Sequence, residues 1–479
     1  MPRLVLARKT RRVVASVALG LTLALGAVAS FGLGHVSANL SAQPPLPALD
    51  STVRYEAGAE GQRELPDAAL AALRIPTCSL SDSLQDPALG DFSGVVLDPV
   101  TNEVLLDRDI DQLLAPASVQ KIVTAAAALT TLGPDTTFTT STWSTDAPEV
   151  LVLKAGGDLT LSTTSKGSES VYVGAAKVQD LAIQTVEAWE AAAPEGERMS
   201  IRKVIIDASL WDVEDSWRDS WSPTARTNGY MSKITPLQID GDRFAPSAVM
   251  GQRSNDPMGR AASAFVSALR QAGNSSGFVS VEYAPAPDTS QELASVSSPP
   301  VSDFVRYMLK ESDNTLAEML GRHISLSLGL DGSGDSVGEA LLLSLAPYGI
   351  PAAGVSLDDA SGLSGANRIS PLFVASLIAE IYRSSTELAG VIEGLPVSGV
   401  DGSLDDRFTG DNAIAQGSVR AKTGSIQGVR SLAGTLTAAD GGDLVFAFFA
   451  SGEVSDDARS SLETAVVGVY RCGANLADF

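Results

Sequence analysis

Histidine and cysteine are almost missing from these 479 residues, with two of each. His35 falls in the N-terminal segment, so His323 alone is left for chemistry that needs an imidazole. Cys78 and Cys472 lie too far apart to make a metal site, and neither metal nor cofactor is implied. Positive charge is also scarce: 34 Lys and Arg against 57 Asp and Glu give a net charge of −23. Such a surface repels phosphate backbones and anionic lipid heads, which argues against nucleic-acid binding and peripheral membrane binding. Internal repeats and long low-complexity tracts are absent. What remains is a composition of 44% hydrophobic and 19% charged residues, suited to a folded chain too long for one core.

The N-terminus differs from the rest. Arg3, Arg8, Lys9, Arg11 and Arg12 precede an uncharged apolar stretch from Val13 to Gly34, followed by the small-residue run Val36-Ser37-Ala38. This pattern is an export signal, long enough to act as a cleaved peptide or as a retained anchor. The charges keep the N-terminus in the cytoplasm. Residues after Ala38 are therefore expected outside it, secreted to the cell wall or held at the outer face of the membrane. In that oxidising setting Cys78 and Cys472, at the two ends of the folded part, suggest one disulfide; two buried free thiols are the alternative.

Residues 39–76 include PPLPAL without sustained periodicity and read as a linker. Phe92–Asp98 and Glu103–Leu106 predict a strand pair. From residue 138 to 296, strand-like EVLVLKAG, RKVIIDAS and ITPLQID alternate with helix-like VQDLAIQTVEAWEAA and MGRAASAFVSALRQAG. That stretch predicts an α/β domain inserted between 77–137 and 297–479. After Pro299 three helical stretches lead to strand-like SVRAKTG, SLAGTLTA and DLVFAFFAS, then to a terminal helix.

Three short motifs carry the chemistry: Ser118-Val119-Gln120-Lys121, Ser312-Asp313-Asn314 and Lys422-Thr423-Gly424. The first is weak alone, since a chain of this length contains roughly one or two S-x-x-K by chance. Ser200-Ile201-Arg202-Lys203 is such a copy. It runs into a predicted strand, where residues i and i+3 point to opposite faces. At Ser118, Pro116 and the alanine-rich run after Lys121 predict a helix, which puts both side chains on one face. A serine hydroxyl needs a base to become a nucleophile, and a lysine serves when burial or a neighbouring cation such as Lys422 lowers its pKa. Taken singly, each motif has a bland reading: a capped helix, an exposed polar corner, a strand end with a turn glycine. Their order and local settings favour one site.

Together the three motifs are the signature of penicillin-binding proteins and serine β-lactamases. With GGDLTLS, SDNTLAEML, DDASGLSGANRISP, LPVSGVDGSLDDRF and VRAKTGSIQGVRSLAGTLTAADG, the chain resembles the low-molecular-mass class C penicillin-binding proteins, the D-alanyl-D-alanine carboxypeptidase and endopeptidase family. The resemblance implies an α+β transpeptidase-like domain, a helical part beside a five-stranded antiparallel sheet, interrupted by inserted domains. One domain often nested after ITPLQIDGDR is missing here. The resemblance implies Ser118 as nucleophile, Lys121 as base, and Ser312, Asn314 and Lys422 as further catalytic residues. Thr423, Gly424 and Ser425 would bind an extended peptidoglycan stem peptide, the amides of Ser118 and Ser425 would form the oxyanion hole, and β-lactams would acylate Ser118. Where relatives contact the third stem residue, this sequence has Gly365 for a common arginine and lacks acidic residues after the tryptophan of WSPTARTNGY, so diaminopimelate recognition does not carry over.

Two other outcomes share these motifs. A class A β-lactamase requires a glutamate in an E-x-x-L-N loop, which is absent. A catalytically weak wall-binding protein of the same fold would show an eroded motif, and all three are intact. His323, within NTLAEMLGRHI, reads as an ordinary packed or solvated helix residue, and Asp331–Asp335 as a loop without EF-hand spacing. Carboxypeptidase and endopeptidase action are not separated by sequence.

Overall fold

The computed structural model describes residues 77–193, 199–384 and 388–477. The expected export segment (1–38) and linker (39–76) lie outside them. Among the described residues no helix is long and apolar enough to cross a membrane.

The first sheet comes from the two ends of the described chain. Strands β1 (Asp91–Leu97) and β2 (Val104–Arg108) form a hairpin. Asp98 Oδ1 holds its turn by accepting from the amides of Val100 and Thr101 at 2.8 and 3.0 Å. Some 300 residues later come β8 (Val419–Ile426), β9 (Val429–Thr437) and β10 (Asp443–Ser451). The order is β2-β1-β10-β9-β8 and every pairing is antiparallel. The sheet is covered on both faces, which is why DLVFAFFAS is almost continuously apolar. Val445, Ala447 and Phe449 join the helical core, while Phe446 and Phe448 pack with Leu462 and Val466 of the terminal helix, Ala458–Cys472. That helix ends in a disulfide between Cys472 and Cys78, with Cα atoms 5.5 Å apart.

The helical core is built on α1 (Lys121–Thr131), whose alanines 125–128 are fully buried. Around it lie Val301–Glu311, Asn314–Ser327, Gly334–Leu345 and Pro371–Arg383.

A second sheet lies within residues 139–297, with order β6-β5-β4-β3-β7. β4 (Val150–Lys154), β5 (Lys203–Asp207) and β6 (Ser280–Tyr283) run parallel, and β3 (Thr139–Ser144) is antiparallel to β4 and β7 (Gln291–Ser297). Helices Val178–Ala192 and Pro257–Gln271 bury Leu181, Trp189, Phe265 and Leu269 against Leu151, Leu153, Val204 and Ile206. The chain enters and leaves this segment side by side: Ser298 N donates to Phe138 O, and Phe138 N to Ser298 Oγ, each at 2.9 Å.

One strand expectation fails. ITPLQID (234–240) is an irregular connection, not a strand. Pro236 has no N–H for a ladder, and its carbonyl accepts from Gly157 N at 3.1 Å. The apolar alternation arises because Ile234 packs into the helical core while Leu237 and Ile239 pack into that of the second sheet.

Candidate active site

Helix α1 is preceded by a 3-10 turn, Ala117–Gln120. In that tighter winding, side chains at i and i+3 eclipse one another, so Ser118 and Lys121 meet: Lys121 Nζ lies 3.0 Å from Ser118 Oγ. Ala117 takes a left-handed φ of 48° at the start of the turn. Ser431 Oγ braces the turn by donating to Pro116 O at 2.6 Å.

Lys121 is fully buried and its amine has three partners: Ser118 Oγ, Asn314 Oδ1 at 2.6 Å and Ser361 O at 2.7 Å. Burial lowers its pKa to about 8 against the opposing pull of Asp359, Glu318 and Asp313. Of the two expected causes, burial is the one that acts on Lys121. The repulsion between the lysines registers at Lys422, which is also fully buried and held well below its ordinary value by burial and then by Lys121. Lys422 Nζ donates to Thr423 O at 3.0 Å.

The second motif forms the corner between two helices. Ser312 ends Val301–Glu311 in a left-handed conformation (φ 58°, ψ 38°), and Asp313 caps the next helix by accepting from Leu316 N at 3.0 Å. Asn314 then points Oδ1 at Lys121 and gives one amide N–H to Tyr230 O at 2.8 Å.

Ser118, Ser312, Asn314, Thr423 and Ser425 line one cleft of about 940 Å³, with Trp221, Tyr230 and Gly365 on its walls. β8 is the last strand of its sheet; Pro396 and Val397 cover its outer edge at Arg420–Ala421. Packing requires a glycine at 424. A Cβ there would strike Ser431 Oγ and come within 2.8 Å of Pro116 O. The missing side chain thus lets β8 press against the turn carrying Ser118.

Several supporting residues escape a motif reading. Asp313 is buried against Arg243, with NH2 to Oδ2 at 2.7 Å, and accepts from Tyr172 OH at 2.9 Å. Glu318 lies one helical turn beyond Asn314, a spacing that places both on one face. Its Oε1 accepts from the amides of Ala360 and Ser361 at 3.0 and 2.8 Å. Burial, then Asp359, pushes its pKa up to about 8. Asp359 accepts from Trp221 Nε1 and from the amides of Gly362 and Ser364 at 2.7–2.9 Å.

The residues set aside by the sequence stay outside the site. Ser200 Oγ is 2.7 Å from Ser275 Oγ, while Lys203 pairs with Glu282. His323 is a packed residue, stacked on Phe138 with centroids 3.7 Å apart, and burial lowers its pKa to about 4. Of Asp331–Asp335 only residues 331–333 are loop: Asp331 accepts from Ser333 N at 2.9 Å, and Ser333 caps the helix that begins at Gly334.

A five-stranded antiparallel sheet beside a helical part, with a serine and a lysine in contact at its edge, defines a penicillin-binding type of serine hydrolase. The chain belongs to the D-Ala-D-Ala carboxypeptidase 3 (S13) family, whose profile matches residues 77–254 and 248–471, and it is a serine-type D-Ala-D-Ala carboxypeptidase. It is 30% identical over 477 residues to carboxypeptidase DacB of Mycolicibacterium smegmatis, covering 97% of this chain and 98% of that one. It is 28% identical to the D-alanyl-D-alanine carboxypeptidase of an Actinomadura species, over 81% of this chain and 83% of the relative. Penicillin-binding protein 4 of Haemophilus influenzae shares the fold, with a TM-score of 0.68 at 21% identity, over 82% of this chain and 99% of that one.

Proposed function

We propose that Ser118 is the nucleophile and Lys121 its base in removal of the terminal D-alanine from peptidoglycan stem peptides outside the cytoplasm. The 3.0 Å contact between Lys121 Nζ and Ser118 Oγ carries this reading. A charged ammonium can donate to all three of its oxygen partners. Once neutral, the amine has a lone pair, and Ser118 donates its proton to Nζ.

Ser118 Oγ bonds to the penultimate carbonyl carbon, and the amides of Ser118 and Ser425 stabilise the oxyanion. Asn314 orients the carbonyl and Lys121. As the C–N bond breaks, Ser312 passes a proton to the leaving D-alanine amine, aided by Lys422. Water then attacks the ester and frees Ser118. The extended substrate backbone runs along the outer edge of β8, beside Thr423, Gly424 and Ser425. In a β-lactam the leaving nitrogen stays tethered to the acyl group, so Ser118 remains blocked. Residues 138–296, with their own sheet and core, serve as an inserted domain, and residues 1–38 direct export.

The test is labelling of residues 39–479 by a fluorescent penicillin. Ser118→Ala should abolish labelling, and retained labelling would remove Ser118 as nucleophile. Mass spectrometry of digested muropeptides separates loss of one alanine from cleavage of cross-linked dimers.

A further inference from the structure

Thr423 and Ser425 line two spaces at once. One is the cleft above Ser118; the other is a pocket of about 210 Å³ that also contains Arg407, Arg430 and Arg459. Alternation along β8 explains this: Lys422 and Gly424 project toward the nucleophile turn, Thr423 and Ser425 from the opposite face, toward the terminal helix. Three guanidinium groups around one pocket stand out in a chain whose acids outnumber its bases 57 to 34.

Two of the three are held in place by protein partners. Arg407 pairs with the buried Glu463 and also donates to Arg459 O at 3.3 Å. Arg430 donates to the carbonyls of Ile426 and Val429 at 2.8 Å and to Asp456 at 2.9 Å. Arg459 shares that same Asp456 at 3.3 Å, so three cations face two carboxylates. The side chains of Arg459 and Asp456 are 46% and 75% exposed, which makes their pairing weak and exchangeable. Arg459 NH2 already reaches Ser425 Oγ at 3.4 Å. Lys422, within this strand, is buried and spends a donor on Thr423 O, and its surroundings disfavour its charge.

We propose that Arg459 recognises the C-terminal carboxylate of the substrate, exchanging Asp456 for it beside the hydroxyls of Thr423 and Ser425. Arg407 and Arg430 brace the pocket through their fixed pairings. Arg459 is thereby the residue that makes the enzyme select a free chain end. The inference rests on the reading of Ser118 and its cleft as the reacting centre.

The test compares a peptide ending in D-Ala-D-Ala as the free acid with the same peptide as its C-terminal carboxamide, in the wild type, Arg459→Gln and Arg459→Lys. The wild type should favour the acid by tens- to a hundredfold in kcat/KM, the range expected of a paired charge at a recognition site. Arg459→Gln should lose at least about tenfold on the acid and little on the amide, collapsing the ratio. Arg459→Lys should restore part of it. An unchanged acid-to-amide ratio in Arg459→Gln, or an equal loss on both substrates, overturns the inference. Labelling by penicillin in Ser118→Ala keeps the parent reading separate: if labelling needs Ser118 while the ratio is insensitive to Arg459, the carboxylate assignment alone falls.

Discussion

The Arg243 guanidinium lies 2.7 Å from the Asp313 carboxylate, with both side chains about 3% exposed. Arg243 belongs to the connection between β5 and the helix Pro257–Gln271, and Asp313 to the corner holding Ser312 and Asn314. Against the upward push of burial, Arg243 keeps the Asp313 carboxyl below its ordinary value. Arg243→Ala leaves that charge buried with Tyr172 as its remaining side-chain donor. We expect a loss of about 3–5 kcal/mol in urea unfolding, the usual cost of breaking a buried pair from one side. The rate of acylation by penicillin should fall with it, since the same corner positions Asn314.

As the proposed base, Lys121 must be neutral to take the proton of Ser118, and its pKa stands at about 8. Acylation should therefore rise about tenfold per pH unit below 8 and level off above it. Second-order rates with a chromogenic β-lactam between pH 6 and 9.5 check this. A flat profile over the acid half of that range would assign the base elsewhere.

Glu318 titrates at about 8 in the fold and near 4.5 when unfolded. The native state thus holds a proton that the unfolded chain releases between those values. The resulting stability is present in full below pH 4.5 and is lost as pH rises to 8, at a slope of up to about 1.4 kcal/mol per unit. Glu318→Gln, which mimics the protonated acid, should flatten this limb when urea midpoints are compared at pH 5 and 8.

His323 gives the opposite limb. Its pKa falls to about 4 in the fold from 6.5, so the unfolded chain binds the proton first and stability declines as pH drops from 6.5 toward 4. His323→Phe should reduce that acid sensitivity. Thermal melts at pH 4.5 and 7 report it.

The Cys78–Cys472 bond closes a loop of 394 residues. Cys472→Ser should cost about 2–4 kcal/mol. A reductant should lower the melting temperature of the wild type to that of the variant and leave the variant unmoved.

Much of this was legible in the chain because local signals and tertiary needs agree. DLVFAFFAS reads as a doubly covered strand and is one; VQDLAIQTVEAWEAA reads as a helix whose bounds match Val178–Ala192. The polar strand TTSTWS was not legible: its threonines suit a pleated surface, yet Thr142 is buried on a hydroxyl contact with Thr185 rather than on apolar packing. Spacing brought Ser118 to Lys121, whereas Glu318, one helical turn beyond Asn314, was missed although the two share a face. The Arg243–Asp313 pair spans 70 residues with no periodicity linking its members. Only the folded chain reveals it.

The strand order has a consequence for timing. β1 sits between β2 and β10, and β10 is the last of the described strands to be made. Until residues 443–451 arrive, the sheet that supports β8 has no middle, and β9, which carries the Ser431 brace of Pro116, has only β8 beside it. A ribosome or export channel still feeding out the chain therefore releases no competent enzyme. Peptidase competence waits until residues 443–451 fold back against β1.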